Sequence, residues 1–241
     1  MQQWNHWLNQ FLGASVLDVE QKLLSQSLAT RYGNYALLMG VPYQAVLLKP
    51  SLMLNNISIS PLINKNKSIP QIESDFYELP IIPGSIDLVI LPHLLEFVDN
   101  PQKLLAEACR LVKPEGNIII FGFNPLSLWG LKKYLVKNKN IPWMANFIRA
   151  NLIKKWLKLA DFELMEQNML LFRPPLPHPR LYQKLKCLEW LGNKLYTPLG
   201  GIYALTAKAK VIPLTPIKLH WKQTLSPLPV LLPRPLLRDV K

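Results

Sequence analysis

Apolar residues recur at helical spacing from the first turn of the chain: Trp4, Trp7, Leu8, Phe11 and Leu12, then a second run across residues 17–28. That three- and four-residue period puts them on one face, so residues 1–30 are predicted to be helical. The run Tyr35-Ala36-Leu37-Leu38-Met39-Gly40 is short, apolar and closed by glycine, which suits a buried strand. Residues 45–54 make a second candidate strand, interrupted by Pro50. The polar, turn-rich stretch 55–70 reads as a loop or an edge hairpin.

The middle of the chain has the clearest pattern. Ile86-Asp87-Leu88-Val89-Ile90-Leu91 is apolar without alternation, as expected of a strand covered by helices on both faces. Asn100 and Pro101 open a helix, asparagine as cap and proline in the first turn. Leu104, Leu105, Ala108, Leu111 and Val112 form its apolar face, and Pro114, Glu115 and Gly116 close it. Residues 117–123 then form another buried strand, so strand, helix and strand make a right-handed parallel crossover. A helix at 151–160, a strand within 162–172, an amphipathic helix at 181–195 and a last strand at 201–211 complete the domain. From residue 212 periodicity ends; six prolines and few acids predict a disordered or extended tail over 212–241.

Composition narrows this picture. With 241 residues, 49% of them hydrophobic and 18% charged, the chain can bury a core and form one large α/β domain or two small ones. Two cysteines, Cys109 and Cys187, supply neither a disulfide framework nor a metal cluster, so a metal-free protein in the reducing cytoplasm is expected. The start lacks the basic and apolar regions of a secretory signal, and no apolar run approaches the ~20 residues that span a bilayer.

The chemistry-bearing segment is 74–125. It reads Ser74-Asp75-Phe76-Tyr77-Glu78-Leu79-Pro80, then Gly84-Ser85-Ile86-Asp87, then Leu95-Glu96-Phe97-Val98-Asp99-Asn100-Pro101, then Arg110-Leu111-Val112-Lys113-Pro114-Glu115-Gly116. In order and spacing this resembles the type 11 group of S-adenosylmethionine-dependent methyltransferases. The run Gly122-Phe123-Asn124-Pro125-Leu126-Ser127-Leu128-Trp129-Gly130 is similar to a bacterial subgroup of that family. The resemblance implies an α/β, Rossmann-like class I methyltransferase fold: a mostly parallel central sheet, helices on both faces and an antiparallel last strand. Residues 1–30 would be a helical extension and 126–150 a lid suited to a hydrophobic or anionic acceptor. It further implies that Asp75 receives the adenine amino group of S-adenosylmethionine, with Phe76 beside the ring. Leu91 and His93 would line the pocket, His93 being the one nearby candidate for a general base. Plainer roles are also open: Asp75 as a turn cap, His93 as a structural histidine, Glu107 and Arg110 as a surface ion pair, and Cys109 as packing.

Two departures from the family pattern stand out. Aligning the first strand puts Gly40 at the first position of the glycine-rich turn, Pro42 at the second and Gln44 at the third. Proline has no amide hydrogen and cannot take positive φ, so this turn has another shape. Between Glu20 and Glu73 there is no acid at all, so the usual ribose-binding carboxylate is missing. Asn55 or Asn56 is the substitute that the sequence offers, a weaker partner than a carboxylate.

The formal charge of +13 is uneven. Residues 116–160 contain no acid but carry Lys132, Lys133, Lys137, Lys139, Arg149, Lys154, Lys155 and Lys158, interleaved with Trp129, Tyr134, Trp143, Phe147 and Trp156. Such a surface over 132–158 suits an anionic membrane or nucleic acid, or serves only for solubility. Two functions follow: methyl transfer to an unidentified acceptor, or a non-catalytic methyltransferase-like scaffold that uses the basic surface, peripheral to a membrane.

Overall fold

The apolar run around Val89 lies at the centre of a seven-stranded sheet, seen in a computed structural model that describes residues 1–62, 69–135, 141–176, 178–185, 189, 192 and 198–210. In chain order the elements are α1 (Gln2–Leu8), α2 (Phe11–Leu28), β1 (Tyr35–Met39), a 3-10 helix (Pro42–Leu48), β2 (Asn55–Ser60), β3 (Gln71–Glu73) and β4 (Ile86–Pro92). They continue with α3 (Pro101–Leu111), β5 (Val112–Phe123), α4 (Leu128–Leu135), α5 (Ala150–Leu159), β6 (Phe162–Leu170), α6 (Pro179–Lys184) and β7 (Ile202–Ala209). The strand order is β3-β2-β1-β4-β5-β7-β6. All pairings are parallel except those of β7, which runs antiparallel to β5 and β6.

Strand alternation divides the core between the two faces. Leu37, Met39, Val89, Leu91, Ile118 and Ile120 pack with Leu104 and Leu105 of α3 and Ile153 and Leu157 of α5. Leu38, Leu88, Ile90, Ile119 and Phe121 pack with Trp4 and Leu8 of α1 and Leu24 and Leu28 of α2. Each such side chain, removed from water, contributes about 1.5–3 kcal/mol. Asn100 caps α3 by accepting from the Lys103 amide at 2.9 Å. At the other end of the strands, Asp87 accepts from the Asn34 and Tyr35 amides and from the Lys113 ammonium, which ties β1 to β4. Burial opposes ionisation of Asp87, but these donors hold its carboxyl below the usual range.

Three sequence expectations are corrected. Residues 45–54 are not a strand: Pro42 opens a 3-10 helix that carries Leu47 and Leu48 into the core. The second strand is instead Asn55–Ser60, within the stretch expected to be a loop or an edge hairpin; it pairs in parallel with β1 and β3, so no hairpin forms. Its only apolar residues are Ile57 and Ile59, and main-chain pairing on both sides, with β1 and β3, holds it. Pro114-Glu115-Gly116 does not close the helix. The chain turns extended at Val112, and these residues sit within β5 beside a register shift, with Glu115 at φ 65°. Of the helix expected at 181–195, α6 covers the first part. Most of the rest, and residue 211 with the 212–241 tail, lie outside the described residues.

Candidate functional site at the carboxyl edge of the sheet

Ligands of open α/β sheets bind beyond the carboxyl ends of the strands, and here that edge is built around the turn after β1. The Gly40 amide donates to the Ile59 carbonyl at 3.0 Å, joining the ends of β1 and β2. Gln44 is buried; its Oε1 accepts from the Val41 amide at 3.0 Å and its Nε2 donates to the Pro92 carbonyl at 2.9 Å. A Cβ on Gly40 would lie 2.5 Å from that Oε1, so glycine is required there by the glutamine. The third position of the expected glycine turn is thus a side chain that bridges β1 to β4.

Immediately after β4, His93 takes the left-handed conformation at φ 55° and is fully buried. Its Nε2 lies 2.7 Å from Glu20 Oε1 on α2, and its Nδ1 lies 3.1 Å from Glu96 Oε2. Glu96 also accepts from the Phe123 amide. Burial alone would keep the ring neutral, but the two carboxylates outweigh it and raise the His93 pKa to about 9. Burial pushes the Glu96 carboxyl upward. With both ring nitrogens engaged and the proton retained at neutral pH, His93 is closed to an acceptor. The general-base expectation for His93 is therefore corrected: it is a buried structural group held between two carboxylates.

The other expected residues separate. Asp75 is exposed just beyond β3, and its Oδ1 accepts from the Phe76 amide at 2.7 Å. Phe76 and Leu91 are buried in the core and turn no open face to a ligand, which corrects both. Asn55 is also corrected: it pairs with Tyr35 at the amino ends of the strands, and its amide donates to the Asn34 carbonyl. Five residues of strand, about 16 Å, separate it from the carboxyl edge. Ser60 and Pro61 stand where a ribose-binding acid would be.

Glu107 and Arg110 do more than pair on the surface. Glu107 accepts from the Leu79 amide while Arg110 donates to the Leu79 and Ile81 carbonyls, clamping the loop after β3 onto α3. Arg110 is the main reason that the Glu107 carboxyl titrates below its usual range. Cys109 is buried as packing, and burial pushes its thiol up to about 12. Among the described residues no group of three or more His, Cys, Asp or Glu could hold a metal ion.

Next to this framework a cleft of about 640 Å³ opens at the carboxyl ends of β2 and β4. Pro61 and Leu62, the Glu96–Asp99 segment, Met1 with Gln2 and Gln3 of the first helix, and Ile141, Met144, Ala145 and Asn146 of the lid region line it. The N-terminal wall is held by Trp4, whose ring stacks on Trp7 at 5.0 Å, lies edge-on to His93 at 5.7 Å and contacts Phe97 at 4.8 Å. Sequence reasoning missed Gln44, Glu20 and Trp4 as site-building residues. A signal for Glu20 existed: it occupies the stripe of Val16, Leu17, Leu24 and Leu28, a lone acid on a buried face.

Trp129, Trp143, Phe147, Lys132 and Lys133 of the lid turn inward, while Tyr134 is exposed. Trp129 stacks on Phe123 at 5.4 Å, Phe147 stacks on the same ring at 5.0 Å, and Trp143 tilts against Trp129 at 5.8 Å. Lys132 donates to the Pro175 carbonyl and Lys133 to the Ala145 carbonyl, each lying over a ring, Trp143 and Phe147 respectively. Lys137 and Lys139 lie outside the described residues.

Comparison with known proteins agrees with this architecture. A family described as a methyltransferase domain matches residues 38–120. The protein YafS of Escherichia coli is 30% identical over 150 residues, 60% of this chain and 57% of YafS. The ubiquinone biosynthesis O-methyltransferase of Dechloromonas aromatica is 30% identical over 100 residues, 39% of this chain and 43% of that enzyme. The chain thus spans only about half the length of these relatives. An S-adenosylmethionine-dependent methyltransferase from Thermotoga maritima shares the fold, with a TM-score of 0.60 at 19% identity over 81% of this chain and 89% of its own. With its strand order, its reversed β7 and this structural likeness, the chain has the Rossmann-like class I methyltransferase fold, and its residues 38–120 match the methyltransferase domain family.

Proposed function

We propose that this protein transfers a methyl group from S-adenosylmethionine to an acceptor oxygen. The observation that carries the reading is the open cleft at the carboxyl ends of β2 and β4, on the edge where such folds bind ligands. The cofactor would be held by groups on this edge of the sheet, in the cleft and on the loops beside it. Asp75 offers an exposed carboxylate beyond β3 for the adenine amino group, Gly40 keeps the end of β1 without a Cβ, and the Gln2 and Gln3 amides border the cleft. When bound, the cofactor supplies an electrophilic methyl group on a sulfonium. The chain's own contribution is position: the Gln44 bridge holds the ends of β1 and β4 together, and α1, pinned by Trp4, shields the edge from water. An oxygen acceptor is favoured by the O-methyltransferase named among the relatives.

Calorimetric titration with S-adenosylhomocysteine tests this. Asp75→Ala is expected to lose a charged hydrogen bond worth about 1.5–3 kcal/mol, a weakening of roughly ten- to a hundredfold. No heat from a folded protein with either S-adenosylmethionine or its product would remove the enzymatic reading.

A second reading, association with an anionic membrane, rests on α4. Leu126, Leu128, Leu131, Tyr134 and Leu135 are exposed there, and Leu126, Leu128, Leu131 and Tyr134 share a groove with Leu199. Exposed leucines on an acid-free basic segment suit lipid, whereas nucleic acid would want exposed rings, and here most rings are packed inward. Among the described residues no helix is long and apolar enough to cross a membrane. The protein is expected to sediment with phosphatidylglycerol vesicles. Leu128→Asp with Leu131→Asp should weaken this at least about tenfold, since burying each leucine is worth about 1.5–3 kcal/mol. Vesicle binding unchanged by the pair, or a stronger gel shift with DNA or RNA, would count against lipid.

A further inference from the structure

A second cleft, of about 670 Å³, is lined by Gln2, Gln3, His6 and Trp7 of the first helix together with Lys132 and Trp143. Gln2, Gln3 and Ile141 line both clefts, so one thin wall separates a molecule in either from its neighbour. The second cleft differs in character: Trp7 and Trp143 supply ring surface, and His6 and Lys132 supply polar groups.

Lys132 is the informative residue. It is half-buried, its ammonium donates to the Pro175 carbonyl, and it lies 5.1 Å from the centroid of the Trp143 ring. Among the described residues it has no carboxylate partner, and residues 116–160 contain no acid that could provide one locally. Its neighbour Lys133 makes the contrast, because Glu96 lies close enough to favour the charged form of Lys133. A partly desolvated cation with donors to spare and no counter-ion is a place for an anion. Trp143 and Trp7, which line the same cleft beside that cation, give it the ring surface that suits a flat anion.

We propose that this cleft is the acceptor site and takes a planar aromatic acid, its carboxylate on Lys132 and its ring against Trp143. The role as acceptor site rests on the methyl-transfer reading, while the binding chemistry follows from the cleft itself. The shared wall of Gln2, Gln3 and Ile141 then places a ring hydroxyl near the cofactor cleft while the carboxylate stays anchored at the far side. His6 is exposed on the cleft lining, available to hydrogen-bond a substituent.

The probe is 6-hydroxy-2-naphthoate, followed by its own fluorescence anisotropy, with 2-naphthol (the ring without the carboxylate) and cyclohexanecarboxylate (the charge without the flat ring) as comparisons. Saturable binding of the hydroxynaphthoate, at least tenfold tighter than either comparison, is expected. Lys132→Met and Trp143→Leu should each weaken it about tenfold, with Lys132→Arg restoring most of the loss and S-adenosylhomocysteine binding unchanged in all three. A protein that binds S-adenosylhomocysteine but not the hydroxynaphthoate overturns this site and leaves the methyl-transfer reading standing. Hydroxynaphthoate binding that depends on Lys132, without any S-adenosylhomocysteine binding, upholds the pocket and overturns methyl transfer. Equal binding of all three probes, or indifference to both substitutions, overturns the proposal.

Discussion

His93→Ala is expected to destabilise the protein by about 3–5 kcal/mol, the range for removing one partner of a buried ion pair. The alanine would leave Glu20 and Glu96 facing each other, both fully buried, and Glu20 Oε2 already has no hydrogen-bond partner among the described residues. Urea denaturation monitored by tryptophan fluorescence measures the loss. A midpoint within error of the parent would mean that the cluster carries no net interaction. The same group sets a pH dependence. Its pKa is raised on folding, from 6.5 to about 9. The stabilisation is therefore complete below about pH 6.5 and is lost as pH rises through about 9. In His93→Ala the stability lost across that alkaline window should shrink.

Trp4→Ala is the other large effect, about 3–5 kcal/mol for emptying a fully packed tryptophan site. Trp4 is 1% exposed and is the contact that joins α1 to the residues after β4 and to Phe123. Its removal should free Gln2–Leu8 before it loosens the sheet. Hydrogen exchange is expected to accelerate in α1 while the amides of β4 and β5 stay protected. Because Gln2 and Gln3 wall both clefts, S-adenosylhomocysteine should bind more weakly to the same variant. Uniform acceleration across the sheet would instead make α1 part of the cooperative core.

The parts of the fold legible in the sequence were those whose side chains repeat with a strong period. β1, β4 and the later part of β5 are apolar on both faces, and α3 has a single stripe and a capping asparagine. β2 was missed because main-chain pairing with two neighbours holds it, with Ile57 and Ile59 its only apolar residues. The 3-10 helix was mistaken for a strand because its apolar residues are all used in one short turn against the α2 side of the sheet.

Residue type and spacing were enough to read the fold class, the closed core on both faces of the sheet, the altered turn at Gly40 and the lack of an acid between Glu20 and Glu73. These follow from residue type and local spacing. The partners of the polar residues came from the folding of distant segments together. Glu20 meets His93 across 73 positions, and Gln44 reaches the Pro92 carbonyl across 48. No periodicity records such partners, because a buried charge or amide is satisfied by whatever the fold brings within about 3 Å. The same physics turned the aromatic-rich basic segment inward. Trp129 and Phe147 gain more from packing on Phe123 than from water, while the α4 leucines and Tyr134 stay exposed.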